Sequence, residues 1–110
     1  MSLSTHVLDA TTGRPAAGVR IAWESWTKLS WTPVVARETD ADGRVKDWGA
    51  ADLGLGLHRL VFATGAWFAA SRQPTFYPEV VVVFEVTDAG AHHHVPLLLS
   101  PFAYSTYRGS

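Results

Sequence analysis

Turn-forming residues interrupt this sequence about every ten positions, so no regular element of the fold can be long. Several of the intervening runs alternate bulky residues with small or polar ones, as half-buried strands do. The run 80–86 is instead continuously apolar and rich in valine, which favours a strand in the core. Strands are therefore expected at 3–8, 19–26, 31–38, 54–63, 80–86, 95–99 and 102–107.

The segment 66–71 is predicted to form one short helix, because it is rich in alanine and free of glycine and proline. Pro33 indicates that the run 31–38 is an edge strand or an irregular one. Gly43 closes a turn over 39–43 and supplies a positive φ there. Many short strands with such turns are typical of an antiparallel sandwich or barrel, and we expect an all-β sandwich of two sheets.

Length, charge and cysteine content exclude several classes of protein. The 110 residues predict a single domain, 1–110, and the formal net charge of −1 argues against nucleic acid or an anionic membrane as a partner. No apolar run reaches the roughly 20 residues that span a bilayer. Residues 1–6 lack a signal-peptide pattern, which makes the cytoplasm the expected location. The absence of cysteine excludes disulfides and cysteine nucleophiles.

Three of the five histidines are consecutive, at positions 92–94. On a strand His92 and His94 share one face, and His93 points to the other. Such a pair fits an exposed polar strand start, a catalytic or binding surface, or part of a zinc site. Zinc is the weakest of the three, because no carboxylate lies at the neighbouring same-face positions. His6 lies in the first strand, and its pattern alone is that of an ordinary strand histidine.

The segment 104–110 combines two tyrosines, three hydroxyl residues and an arginine in seven positions. It fits either an edge strand with a polar tail or a tail that is tucked into a site. No phosphate-binding loop, nucleophile elbow or paired-carboxylate motif accompanies it. An enzyme built on these residues would rely on histidine to move protons near neutral pH and on arginine to hold a flat, carbonyl-rich molecule.

The segment 92–110, which reads HHHVPLLLSPFAYSTYRGS, resembles the carboxyl-terminal signature of the 5-hydroxyisourate hydrolases of the transthyretin-related family. The opening LSTHVLD at 3–9, the GRPA at 13–16, the turn 39–44 and the FYPE at 76–79 are similar to further segments of that family. Transthyretin, the hormone carrier of the same fold, lacks the YRGS ending and counterparts of His6 and His94. The resemblance therefore favours the enzyme over the carrier.

The resemblance implies a sandwich of two four-stranded sheets with one short helix, assembled as a homotetramer around a central channel. It implies hydrolysis of 5-hydroxyisourate, a flat oxidised purine, without cofactor or metal. The family's catalytic set falls on His6, Arg44, His94 and Ser110. Residues of the same signature that are expected to bind substrate are His92, Tyr107 and Arg108.

Two positions depart from the family pattern. His93 replaces the usual tyrosine, and by strand alternation it faces away from His94, so we expect a change of packing. Ala103 replaces a common glycine. The alternatives to the hydrolase are a carrier of a small aromatic ligand, an adhesive sandwich module and a zinc protein.

Overall fold

The computed structural model describes residues 3–49 and 53–110. Its elements, in chain order, are β1 (Leu3–Asp9), β2 (Arg14–Pro15), β3 (Arg20–Thr27), β4 (Ser30–Glu38), β5 (Arg44–Val45), β6 (Gly56–Phe62), α1 (Thr64–Ala70), β7 (Val80–Val86), β8 (His93–Ser100) and β9 (Ala103–Thr106). Each predicted strand is present, with ends that differ by no more than two residues. The strands β2 and β5 lie in segments for which no strand was predicted.

The strands form two sheets, which confirms the predicted class of fold. One sheet has the order β4-β3-β6-β7, and the other has β2-β1-β8-β9 with β5 paired to β1 as a fifth strand. Because β8 covers the whole length of β1 on one side, the short strands β5 and β2 lie end to end along its other side. This sheet therefore has five strands where the resemblance implied four, and two of them, β2 and β5, have two residues each.

One pair of strands departs from the antiparallel arrangement that the short, turn-separated strands predicted. β1 and β8 run parallel, with Ser4 opposite His94 and Thr5 opposite Val95. Between β1 and β8 the chain forms all four strands of the other sheet. Because β1 and β8 are therefore not joined by a hairpin, β8 can pair with β1 in either direction. This parallel pair brings the amino-terminal strand beside the histidine cluster.

The core lies between the two sheets and follows the two-residue alternation of the strands. In β1 the side chains of Leu3, Thr5 and Val7 are buried, and those of Ser4 and His6 point to the opposite face. The largest fully buried side chains are Trp23, Trp48, Phe62 and Phe68. Burial of each such large apolar group stabilises the fold by roughly 1.5–3 kcal/mol.

The edge position and the irregularity predicted from Pro33 are both present. β4 is the edge strand of its sheet, and its register with β3 shifts by one residue, because Trp23 pairs with Val35 whereas Glu24 pairs with Pro33. A proline is accommodated at such a bulge on an edge, where its missing N–H breaks no ladder in the middle of the sheet.

The helix α1 begins two residues earlier than expected, at Thr64 rather than at residue 66. Gly65, which precedes the predicted helix 66–71, lies in the first turn of α1 and donates its N–H to the carbonyl oxygen of Pro78 at 3.0 Å. A Cβ at this position would overlap the Pro78 backbone. Close packing against Pro78, rather than helix propensity, therefore explains the glycine at position 65.

The sequence of β6 allowed His58 and Arg59 to be a pair of surface residues, but His58 is buried. Its Nδ1 accepts a hydrogen bond from Trp23 Nε1 at 3.1 Å and lies 3.0 Å from Ser25 Oγ. Its Nε2 lies 2.6 Å from the carbonyl oxygen of Gly54. Because indole N–H can only donate and a carbonyl can only accept, His58 is held as the neutral tautomer protonated at Nε2.

Candidate active site

The candidate catalytic residues converge on the outer face of the five-stranded sheet. Arg44 in β5 is directly opposite His6 in β1, and His94 in β8 is directly opposite Ser4, two residues before His6. Residues that are paired in this way, or that follow each other at a spacing of two, point to the same face of a sheet. Register alone therefore places two imidazoles and a guanidinium side by side.

The turn before β5 sets the position of Arg44. Gly43 has a φ of +74°, and a Cβ there would overlap the carbonyl oxygen of Val7. Its own carbonyl accepts a hydrogen bond of 2.7 Å from the Val7 amide. Glycine is thus required both for the left-handed backbone and for the close approach to β1.

Asp40 stabilises the amino-terminal end of this turn through hydrogen bonds. Its Oδ1 accepts the amides of Arg44 at 3.0 Å and Asp42 at 2.9 Å. The hydrogen bond from Arg44 is the largest cause that holds the pKa of this carboxyl below its ordinary value. Among the described residues the one ion pair joins Arg59 to Glu24, so the Arg44 guanidinium has no carboxylate partner there.

His94 is half-buried and is held from two sides. Ser4 Oγ lies 2.7 Å from its Nδ1 and 3.0 Å from Nε2 of His92. The two imidazole rings are nearly parallel, with centroids 6.5 Å apart. From the other side the Gly109 amide donates to the carbonyl oxygen of His94 at 2.9 Å. The Ser4 contact therefore orients the ring, and the Gly109 hydrogen bond holds the His94 backbone.

The environment of His94 favours its neutral form. Partial burial is the largest cause that lowers the pKa of His94 below 6.5, and the positive charge of Arg44 lowers it further. His92 and His6 act in the same direction, while a backbone hydrogen bond to Ser4 partly offsets them. An imidazole that is uncharged at neutral pH, beside a permanently charged guanidinium, is suited to accept a proton from water.

The predicted division of the histidine cluster is confirmed. His93 points into the sandwich and is buried, whereas His92 is exposed on the same face as His94. The Nδ1 of His93 has no hydrogen-bond partner among the described residues. The residue that departs from the family pattern thus lies on the side of β8 away from His6 and Arg44.

The tail after β9 returns to the site. Tyr107 and Arg108 are exposed and line a cleft of about 360 Å³ together with His94 and residues of β7. Gly109 then forms a bridge with His94, and Ser110, the residue after Gly109, is exposed. The structure therefore brings His6, Arg44, His94 and His92 to one face, with the tail along its margin.

Two residues of this site were not identified from the sequence. Ser4 is two residues before His6, so strand alternation was a signal that it shares the face of that histidine. Gly109 was part of the recognised YRGS ending, but nothing local indicated that it packs on His94. A Cβ at Gly109 would overlap the His94 ring.

Within the ranges 3–49 and 53–110 no three histidine, aspartate or glutamate side chains are placed so that they could hold a metal ion. In the same part of the chain no helix is long and apolar enough to cross a bilayer, since α1 has seven residues.

A family model described as HIUase/Transthyretin matches residues 3–109. The chain is 44% identical over 109 residues to a 5-hydroxyisourate hydrolase of Salmonella dublin, covering 98% of this chain and 80% of that protein. It is similar to the structure of the Klebsiella pneumoniae 5-hydroxyisourate hydrolase, with a TM-score of 0.87, 36% identity and full coverage of both chains.

The fold is also similar to that of transthyretin. Sea bream transthyretin, solved in complex with thyroxine, has a TM-score of 0.93 at 30% identity and covers 99% of this chain and 95% of its own. Backbone similarity therefore does not separate the two activities. The higher sequence identity lies with the hydrolases.

Proposed function

Because the chain belongs to the HIUase/Transthyretin family, we propose that it is a single-domain hydrolase that converts 5-hydroxyisourate to 2-oxo-4-hydroxy-4-carboxy-5-ureidoimidazoline. The observation that carries the proposal is His94, an imidazole kept neutral by burial and by Arg44 on a face that it shares with His6. The reaction belongs to urate degradation and requires no cofactor.

His94 is the general base of this mechanism. It takes a proton from water as the water oxygen attacks an acyl carbon of the six-membered ring, with His6 and Ser110 helping to orient the water. The imidazolium then returns the proton to the departing ring nitrogen as the C–N bond breaks. General acid–base catalysis of this kind contributes about 10²- to 10⁴-fold to the rate.

Arg44 binds the carbonyl oxygens of the substrate and stabilises the negative charge that develops on attack. Its side chain has no carboxylate partner among the described residues, so its charge is available to a ligand. A planar guanidinium presents several N–H donors in a fixed geometry, which suits a flat molecule rich in carbonyls. His92, Tyr107 and Arg108 border the face and contact the substrate.

The functional assembly is a homotetramer, a dimer of dimers with the sites facing a central channel. Two features support an assembly. The strands β7 and β9 each end a sheet, with one edge unpaired among the described residues, and Val83 on β7 is exposed. Sedimentation of the purified chain tests the tetramer. The expected cytoplasmic location is tested by cell fractionation.

A coupled assay tests the activity. Urate oxidase generates 5-hydroxyisourate in place, and its ultraviolet absorbance is followed with and without the chain. We expect faster decay with the wild type, loss of this acceleration in Arg44→Ala, and full activity in Arg20→Ala, which removes an exposed arginine of the other sheet. Decay at the spontaneous rate with a folded wild type contradicts the hydrolase.

The carrier is the second candidate, and its basis is the similarity to transthyretin. The comparisons do not favour it, since the higher identities are to hydrolases. A carrier would bind a small aromatic ligand at equilibrium and leave the decay of hydroxyisourate unchanged. Titration of such a ligand beside the coupled assay separates the two functions.

A further inference from the structure

We propose that Ser4 is a positioning residue, which holds His94 in the tautomer protonated at Nδ1 and so presents the unprotonated Nε2 to the attacking water. The inference deepens the proposed function and rests on His94 as the base. It assigns a role to a side chain that touches neither water nor substrate in the mechanism above.

The Ser4 hydroxyl lies between two imidazole rings and has a single hydrogen. Ser4 Oγ lies within hydrogen-bond distance of His94 Nδ1, at 2.7 Å, and of His92 Nε2, at 3.0 Å. A serine hydroxyl has one hydrogen to donate. It can therefore donate to one imidazole nitrogen only, and the other nitrogen must carry a proton and donate to Ser4.

The role of His94 as the base decides which nitrogen donates. Its Nδ1 faces the Ser4 hydroxyl at 2.7 Å, so the nitrogen that is left to take a proton from water is Nε2. A neutral imidazole carries one N–H, and when Nε2 is unprotonated this hydrogen is on Nδ1, which then donates to Ser4 Oγ. The hydroxyl hydrogen is then directed to His92.

These hydrogen bonds stabilise the positive charge that forms on His94 during the reaction. When Nε2 takes the proton from water, the ring becomes cationic and its Nδ1–H becomes a stronger donor to Ser4 Oγ. Ser4 in turn donates to Nε2 of His92, whose ring is nearly parallel to that of His94. The chain His94–Ser4–His92 therefore stabilises the imidazolium without accepting its proton.

The backbone holds Ser4 in place for this role. Ser4 and His94 are direct partners in the parallel pair of β1 and β8, and the buried neighbours Leu3 and Thr5 fix the strand from its other face. The Thr5 hydroxyl donates to the Val95 carbonyl at 2.6 Å, which secures the register at the next position. The Ser4 hydroxyl is therefore preorganised rather than recruited by substrate.

Kinetics of Ser4→Ala give the first test. Loss of a hydrogen bond to a charged group predicts a fall of about 10- to 100-fold in kcat and in kcat/KM, with KM nearly unchanged. Ser4→Thr keeps the hydroxyl and is expected to retain most of the activity. Ser30→Ala, which removes a serine hydroxyl from an exposed strand of the other sheet, is the matched control. An unchanged kcat in folded Ser4→Ala overturns the proposal.

The pH profile separates positioning from a merely structural role. The charged and titratable groups around His94 are Arg44 on β5, His6 on β1, His92 beside β8, His93 on β8, Glu85 on β7, and Tyr107 and Arg108 in the tail, and all remain in Ser4→Ala. Removal of an acceptor from Nδ1–H lowers the pKa of His94, so the acid limb of activity should move to lower pH. A shift to higher pH means that Ser4 donates to Nδ1 and overturns the assignment.

Nitrogen NMR of the imidazoles tests the tautomer without any turnover. In ¹⁵N-labelled wild type above pH 7, the His94 signals, assigned by comparison with His94→Asn, should show a protonated Nδ1 and an unprotonated Nε2. The reverse pattern overturns the proposal even if the enzyme is active. If the wild type fails to hydrolyse hydroxyisourate, the proposed function fails, whereas this measurement still decides the state of His94.

Discussion

Gly109 packs directly against the imidazole ring of His94, and its amide donates a hydrogen bond of 2.9 Å to the His94 carbonyl oxygen. The bridge between the two residues ties the tail to β8 at the position of the proposed base. Any side chain at residue 109 would occupy the space of the ring. The position of the His94 ring therefore explains why the YRGS segment has glycine at residue 109.

Gly109→Ala is expected to displace the His94 ring or the tail and to lower kcat/KM by about 100-fold, since displacements near 1 Å at a reacting group cost this much. Stability should change little, because the tail lies at the surface. Gly54→Ala is the matched control, as a Cβ there meets no atom within 4 Å. Steady-state kinetics measure kcat/KM, and thermal melting measures stability. Full activity of Gly109→Ala contradicts the packing of Gly109 against the His94 ring.

His94→Asn is expected to lower turnover by about 10²- to 10⁴-fold, because the general base is lost. The assembly should persist, since His94 is on the outer face of its sheet and leaves the core untouched. Sedimentation and the coupled assay measure the two properties. His6→Asn distinguishes the two histidines, because it should leave the acid limb of the pH profile in place, whereas His94→Asn should abolish it.

The fold class and the division of the histidine cluster followed from the sequence, because both are encoded in the alternation of neighbouring residues. The turn at Gly43 was also predictable, because it depends on residues that are neighbours in the sequence. The contacts of Ser4 with His92 and His94 were not predictable in this way, since these residues are 88 and 90 positions apart and meet through the parallel pairing of β1 with β8. Local periodicity contains no information on strand order.

The candidate site was likewise predictable only in part. His6, Arg44 and His94 were identified through the resemblance, and the structure adds the physical connection between them, which is the register of β5, β1 and β8. The burial of His58 also escaped prediction. A histidine in a leucine-rich strand has no local signal that an indole and a carbonyl will satisfy both its nitrogens.

Activity should fall as the pH decreases through the lowered pKa of His94, that is, at a pH below 6.5. The sign follows from the role, because a general base works only while it is unprotonated. Arg44→Ala removes a positive charge beside the ring and should raise the pKa of His94. NMR titration of the His94 ring in both proteins measures this, with Arg20→Ala as the control. An unchanged or lower pKa in Arg44→Ala contradicts the predicted proximity.

His58→Phe is expected to destabilise the fold by about 1–3 kcal/mol, the cost of leaving a buried hydrogen-bonding group without a partner. Phenylalanine fills the ring volume and keeps a stacking surface for Phe84, whose centroid lies 5.7 Å from that of His58. It cannot accept the Trp23 indole N–H or donate to the Gly54 carbonyl, however. Denaturant unfolding, with His92→Ala as the exposed control expected within about 0.5 kcal/mol of the wild type, measures the difference. Equal stability of His58→Phe and the wild type would show that water or a shifted backbone satisfies both groups, and the buried hydrogen bonds of His58 would then contribute nothing net to folding.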